Sequence, residues 1–136
     1  MPSSPQLSFL WKKWFDFSKN MYILIAGCWM GKTIISGDGR FEWDEEKNRR
    51  NKELHGLYFD EILPAFDDPY LLEMYDKTHS TLTEVRYIGL AELQDFIILY
   101  LSYTEPASGR TRIVSVRPAV PTEEQMYYEW RKNFVP

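Results

Sequence analysis

The chain has 136 residues, 44% hydrophobic and 16% aromatic, which suits one folded domain rather than a disordered segment. Its single cysteine, Cys28, excludes an internal disulfide framework and a cysteine-built zinc cage. The net charge of −4 is uneven: residues 1–39 carry four lysines against Asp16 and Asp38, and the rest carries 12 basic against 18 acidic side chains.

An acidic body attracts nucleic acid poorly as a whole, so any nucleic-acid site must be a local basic cleft. It also complements a basic partner protein. The apolar run Met21–Met30 is about half the ~18–20 residues that cross a bilayer, which predicts a chain without a membrane span.

Residues 1–39 read as an extension. Phe9, Trp11, Trp14, Phe15 and Phe17 follow neither the helical nor the strand period. Tyr22–Thr33 imitates two motifs. A phosphate-binding loop needs four residues between its first glycine and Gly-Lys-Thr, whereas only Cys28, Trp29 and Met30 separate Gly27 from Gly31. Ile25-Ala26-Gly27-Cys28 resembles a lipoprotein cleavage box. Its apolar lead-in, Met21 to Ala26, falls short of the ~7–15 residues of a signal, and Asp16 interrupts the basic stretch before it. Neither motif is expected to work, and Met21 and Met30 offer internal starts. Ser36-Gly37-Asp38-Gly39 marks a turn, and residues 40–136 are expected to form the folded domain.

From there the punctuation is regular. Asp44 caps a helix with Glu45 and Glu46 in its first turn, and Gly56 ends it. That helix has almost no apolar stripe. Asn48, Asn51, Lys52 and His55 share one of its faces, which is either a solvated surface or a functional one. Phe59–Leu63 reads as a second short helix capped by Asp60, and Leu71–Tyr75 as a short strand. Three strands follow: Val85–Leu90, Phe96–Tyr103, apolar on both faces and hence central, and Arg110–Arg117 across a Pro106–Gly109 turn. Thr122 with Gln125 opens a last helix. Helices, an antiparallel meander and a C-terminal helix make a single α+β domain.

The chemistry points to the strands. There is no HExxH, and no Cys/His metal spacing; the only histidines are His55 and His79. Arg86, Arg110, Arg112 and Arg117 lie in strand-like text, where a cation must pair with a carboxylate or face a ligand. The odd separation of Arg112 and Arg117 predicts opposite faces in a regular strand.

Over residues 40–128 the chain resembles BrnT-type toxins of the RelE-like ribonuclease superfamily. The likeness is carried by Phe41-Glu42-Trp43-Asp44-Glu45-Glu46-Lys47-Asn48, Asn51, His55-Gly56 and Phe59, then Phe66-Asp67-Asp68-Pro69 and His79-Ser80. It continues through Glu84, Arg86-Tyr87, Gly89, Tyr103-Thr104, Arg112–Arg117 and Ala119.

The resemblance implies a RelE-like fold and a cytoplasmic toxin that cleaves RNA and halts translation, with no cofactor or metal. It implies a BrnA-like ribbon-helix-helix antitoxin, with operator DNA bound only through the complex, which represses its own operon. Under it Arg86 and Arg117 would hold the scissile phosphate, with His55 or Glu84 moving protons. Lys52, Arg112, His79 and Asn51 would position RNA. A purely structural Glu84–Arg86 pair is the alternative for those two. The chain departs from the pattern at Leu54 and Pro118, both often lysine, and at Val120, often threonine. Those losses make a non-enzymatic module that keeps the fold and only binds its antitoxin and the operator complex the competing function.

Overall fold

The computed structural model describes residues 31–134. Both tempting motifs of Tyr22–Thr33 depend on residues outside this range, as does the bulk of the expected extension.

From Thr33 the chain forms one compact unit. Strand β1 (Thr33–Ile35) turns back into β2 (Phe41–Asp44) as an antiparallel pair. Its turn is fastened by Ser36, whose hydroxyl donates to Asp38 (2.7 Å) and accepts the Phe41 N–H (3.0 Å). Asp44 then caps helix α1 (Glu45–His55), its carboxylate accepting the Lys47 N–H at 2.9 Å, and Gly56 ends the helix at φ 76°. Both expected caps stand.

The second expected helix is instead two 3-10 turns, Phe59–Glu61 and Leu63–Asp67. Tyr58, not Asp60, holds the cap position; its N–H donates to Glu61 at 3.0 Å. Strands β3 (Leu72–Tyr75), β4 (Arg86–Glu92), β5 (Ile98–Thr104) and β6 (Thr111–Pro118) follow. Helix α2 (Pro121–Lys132) is capped at Val120, whose N–H donates to Glu123 at 2.9 Å, in place of the expected Thr122–Gln125 arrangement.

The domain is α+β, but strands precede its first helix, and the sheet is mixed. Its order is β1-β2-β6-β5-β4-β3, with β2 parallel to β6 and β3 to β6 an antiparallel meander. β5 lies between β6 and β4, as its two apolar faces require.

One face of the sheet packs Phe41, Trp43, Ala91, Leu99, Leu101, Tyr103, Ile113 and Val116 against Phe59, Ile62 and Ala65 of the 3-10 turns. The other packs Leu90 and Ile98 against Tyr127 of α2, with Leu72 and Tyr100 at the margin. Gly89 has a steric reason on the first face. A Cβ there would meet Cε1 of Tyr103 at 3.1 Å, and the Tyr103 hydroxyl crosses to donate to Glu73 at 2.6 Å.

A bulge in β6 overturns the expectation for Arg112 and Arg117. Ser102 pairs with Ser115 and Tyr103 with Ile113, so Val114 is the extra residue. Ile113 and Val116 therefore point into the same core despite an odd separation, and Arg112 and Arg117 share the opposite face.

Candidate active site

On that opposite face, at the end of the sheet beyond the apolar residues that α2 covers, polar side chains form a cross-strand row. Glu42, Arg112, Thr104 and Arg86 are register neighbours on β2, β6, β5 and β4. Glu42 is buried and satisfied from three sides: by Arg112 (2.7 Å), by the Ser108 hydroxyl (3.1 Å) and by Arg110 (3.8 Å). Arg86 Nε donates to Glu84 at 3.1 Å, and Glu84 is itself half exposed in the preceding loop. Lys47, in the first turn of α1, faces the same group. Loss of solvent and then the charges of Arg86 and Arg112 hold its ammonium below the usual lysine value, against an opposing pull from Asp44.

A second group stands farther along β6. Arg117 is the register partner of Tyr100 and sits over that ring, its Cζ 3.9 Å from the centroid. Its Nη1 and Nη2 donate to the two oxygens of Glu123 at 2.9 Å each, a fork-on-fork pair. Those hydrogen bonds raise Arg117 and hold the Glu123 carboxyl below its ordinary value.

His55, mostly exposed at the end of α1, is close enough to feel Arg117: partial burial first and that positive charge second hold its imidazole below the ordinary histidine value. Tyr100 is pushed upward, by burial first, against the lowering charge of Arg117 and with Asp76 and Glu123 adding to the rise. Asp76 is buried and accepts from the His79 backbone (3.2 Å) while its other oxygen meets His79 Nδ1 (2.9 Å), leaving that imidazole exposed.

The two groups are separated. Arg86 and Arg112 meet β5 at Thr104, and Arg117 meets it at Tyr100, four residues away, about 13 Å along a strand. Arg86 and Arg117 thus point to different carboxylates and do not converge.

Two expected RNA contacts have structural work instead. The Asn51 side chain is buried, with both amide hydrogens donated to the carbonyls of Leu57 and Val116. Lys52 Nζ donates to the Gly56 carbonyl at 3.2 Å and sits over the Tyr58 ring. Conversely, Lys47, Tyr100 and Glu123 were not singled out by sequence reasoning. Lys47 stood inside the Phe41–Asn48 segment, but nothing local ties Glu123 to Arg117 across Pro118 and Pro121.

A cavity of about 380 Å³ lies elsewhere, on the first face, lined by Phe41, Phe66, Tyr103, Glu73, Glu105 and Arg40 among others. Its carboxylates make it a poor place for phosphates.

Fold and face together define an α+β domain with a paired-arginine surface on one side of a mixed sheet. Residues 43–123 match the family described as the ribonuclease toxin, BrnT, of type II toxin–antitoxin systems. That span is more than half of the chain, and the chain belongs to this family. A solved structure, the ribonuclease toxin BrnT of Brucella abortus, is similar at 24% identity over 57% of this chain and 92% of that one, with a TM-score of 0.44. Comparison with curated proteins gave no match. Membership of a type II family implies an antitoxin partner. No helix among the described residues is long and apolar enough to cross a membrane.

Proposed function

We propose that the chain is a metal-independent endoribonuclease of the cytoplasm that blocks translation by cutting RNA. The observation that carries this reading is the shared face of Arg86, Arg112 and Arg117, with His55 near Arg117.

An RNA strand laid along that face meets Arg117 and His55 at one end and Arg86, Arg112 and Lys47 at the other. The scissile phosphate sits at Arg117. His55 takes the proton from the 2′-OH, the 2′-oxygen attacks phosphorus, and the bond to the 5′-oxygen breaks, that oxygen taking a proton from water. The products are a 2′,3′-cyclic phosphate and a 5′-hydroxyl. Arg117 stabilises the added charge of the phosphorane, a task suited to a cation that never deprotonates. Glu84 serves Arg86, and the Arg86 group holds flanking phosphates. His79 borders the Arg86 end of the same face, where Asp76 and Ser80 bond the Arg86 backbone.

We further propose that the antitoxin is of ribbon-helix-helix type and that the pair represses its operon, the acidic body receiving a basic partner. A second reading has its own support. Each arginine of the face is already matched by a carboxylate, Glu84, Glu42 or Glu123. A module that only binds its antitoxin would look the same.

Tightly controlled expression separates the two. The ribonuclease arrests growth and degrades RNA, and Arg117→Ala relieves both. A well-folded wild-type chain that leaves growth and RNA intact selects the binding module.

A further inference from the structure

The geometry points to Glu123 as a positioning residue for the proposed cleavage: it clamps Arg117 onto Tyr100 so that the other edge of the guanidinium is presented to an RNA phosphate. The inference rests on the ribonuclease reading above.

The donor count supports it. A guanidinium has five N–H donors in a rigid fork. Nη1 of Arg117 donates to the Pro118 carbonyl (3.2 Å) and to Glu123 Oε1, and Nη2 donates to Glu123 Oε2. The Nε–H and the second Nη2–H have no hydrogen-bond partner among the described residues. These two lie side by side on one edge, a spacing that matches two phosphate oxygens. Glu123 therefore does not have to leave for a phosphate to bind.

The clamp is also anchored. Glu123 Oε1 accepts the Val120 N–H at 2.9 Å, in the first turn of α2, and α2 is seated by the fully buried Tyr127, whose hydroxyl donates to Asp68 at 2.7 Å. Tyr100 supplies a floor 3.9 Å below the guanidinium. An unclamped arginine would have to surrender its rotamer freedom at each encounter with RNA; here it is already ordered.

A rival role has the opposite sign. If Glu123 merely neutralised Arg117 and competed with phosphate, removing its charge would raise activity. Glu123→Gln keeps an oxygen for the Val120 N–H but replaces one acceptor of Arg117 with a donor; Glu123→Asp keeps the carboxylate and serves if the glutamine variant folds poorly.

Two readouts apply to wild type and both variants. One is kcat/KM on an RNA oligonucleotide. The other is the NMR signal of the Arg117 Nε–H during titration with a 2′-O-methyl oligonucleotide, which cannot be cleaved. Positioning predicts that Glu123→Gln lowers kcat/KM by roughly tenfold or more, and that Glu123→Asp recovers part of it. It also predicts an Nε–H that shifts with the oligonucleotide in wild type and not in Glu123→Gln.

A glutamine variant as active as wild type, or more so, overturns the inference and leaves the ribonuclease reading standing. A wild type that cuts nothing but shows the Glu123-dependent shift overturns the ribonuclease reading and the role of Glu123 in cleavage, leaving Glu123 only as the residue that presents Arg117 to RNA. An Arg117 Nε–H that ignores the oligonucleotide in wild type overturns the inference.

Discussion

Asn51 and Val116 are joined in both directions: the Asn51 Nδ2 donates to the Val116 carbonyl at 2.9 Å, and the Val116 N–H donates back to Asn51 Oδ1 at 3.0 Å. β2 accompanies β6 only as far as the Trp43–Ile113 pair, because Asp44 caps α1 and takes the chain out of the sheet. The edge of β6 beyond that point needs a partner, and the Asn51 amide provides the donor and acceptor that a further strand residue would have offered. A second donation to Leu57 fastens the segment after α1 to the same side chain. A helix with almost no apolar stripe is thus docked by its amides, Asn48 likewise accepting the Phe59 N–H at 2.7 Å.

Asn51→Ala is expected to cost about 2–4 kcal/mol of unfolding free energy, since several backbone groups lose their partner at a buried position. Asn51→Asp, which replaces the donor by an acceptor facing two carbonyls, should cost at least as much. Urea unfolding measures both; a loss under about 0.5 kcal/mol for either would remove the docking role.

The arginines of the face should differ in stability as well as activity. Arg112→Ala strands the buried Glu42, whose remaining partners are Ser108 and the more distant Arg110. A loss of about 1–3 kcal/mol is expected. Arg86→Ala frees only the half-exposed Glu84 and should cost less than about 1 kcal/mol. Equal thermal shifts for the two variants would contradict this division.

His55 gives the account a pH signature. Its folded pKa lies below 6.5, so below that pH the unfolded chain binds the proton more readily. The stability it contributes is complete above about pH 6.5 and is lost as pH falls through the lower folded value. Cleavage should show an acid limb in the same window. Arg117→Ala removes the second cause of the depression, so the imidazole should titrate higher in that variant while staying below 6.5, because burial remains. NMR titration follows it directly, and an unmoved His55 would place Arg117 too far away to matter.

A chain beginning at Met30 retains β1, which pairs with β2 from Thr33 onward. It is expected to fold and to act on RNA like the full chain, as the reading of residues 1–39 as an extension requires. A truncated chain that fails to fold, seen by circular dichroism, would show that the earlier residues are needed.

Much of the local architecture was legible because it is written in short-range chemistry. Asp44 and Gly56 bound α1 as their side-chain and backbone preferences dictate, and the doubly apolar Phe96–Tyr103 run became the inner strand β5. What escaped depends on distant partners. The parallel pairing of β2 with β6 joins residues about 70 positions apart and leaves no mark in either segment. The bulge at Val114 is set by how β5 and β6 fit together, yet it alone brings Arg112 and Arg117 to one face. Asn51 and Lys52 looked like a functional polar face because a polar helix surface reads the same whether it faces water, ligand or a strand edge. The arginines were found by their incongruity among apolar residues, but their carboxylates lie at unrelated positions in the sequence.

The proposed cleavage of RNA takes place at the Arg117 end of the face and without metal. Its most direct test is incubation of the purified chain and its Arg117→Ala variant with a labelled RNA in excess EDTA, with analysis of the product ends. Wild type should yield 2′,3′-cyclic phosphate and 5′-hydroxyl ends, and the variant should be slower by roughly a hundredfold, as when one stabiliser of transition-state charge is removed. Intact RNA, or equal cleavage by both chains, would contradict the account.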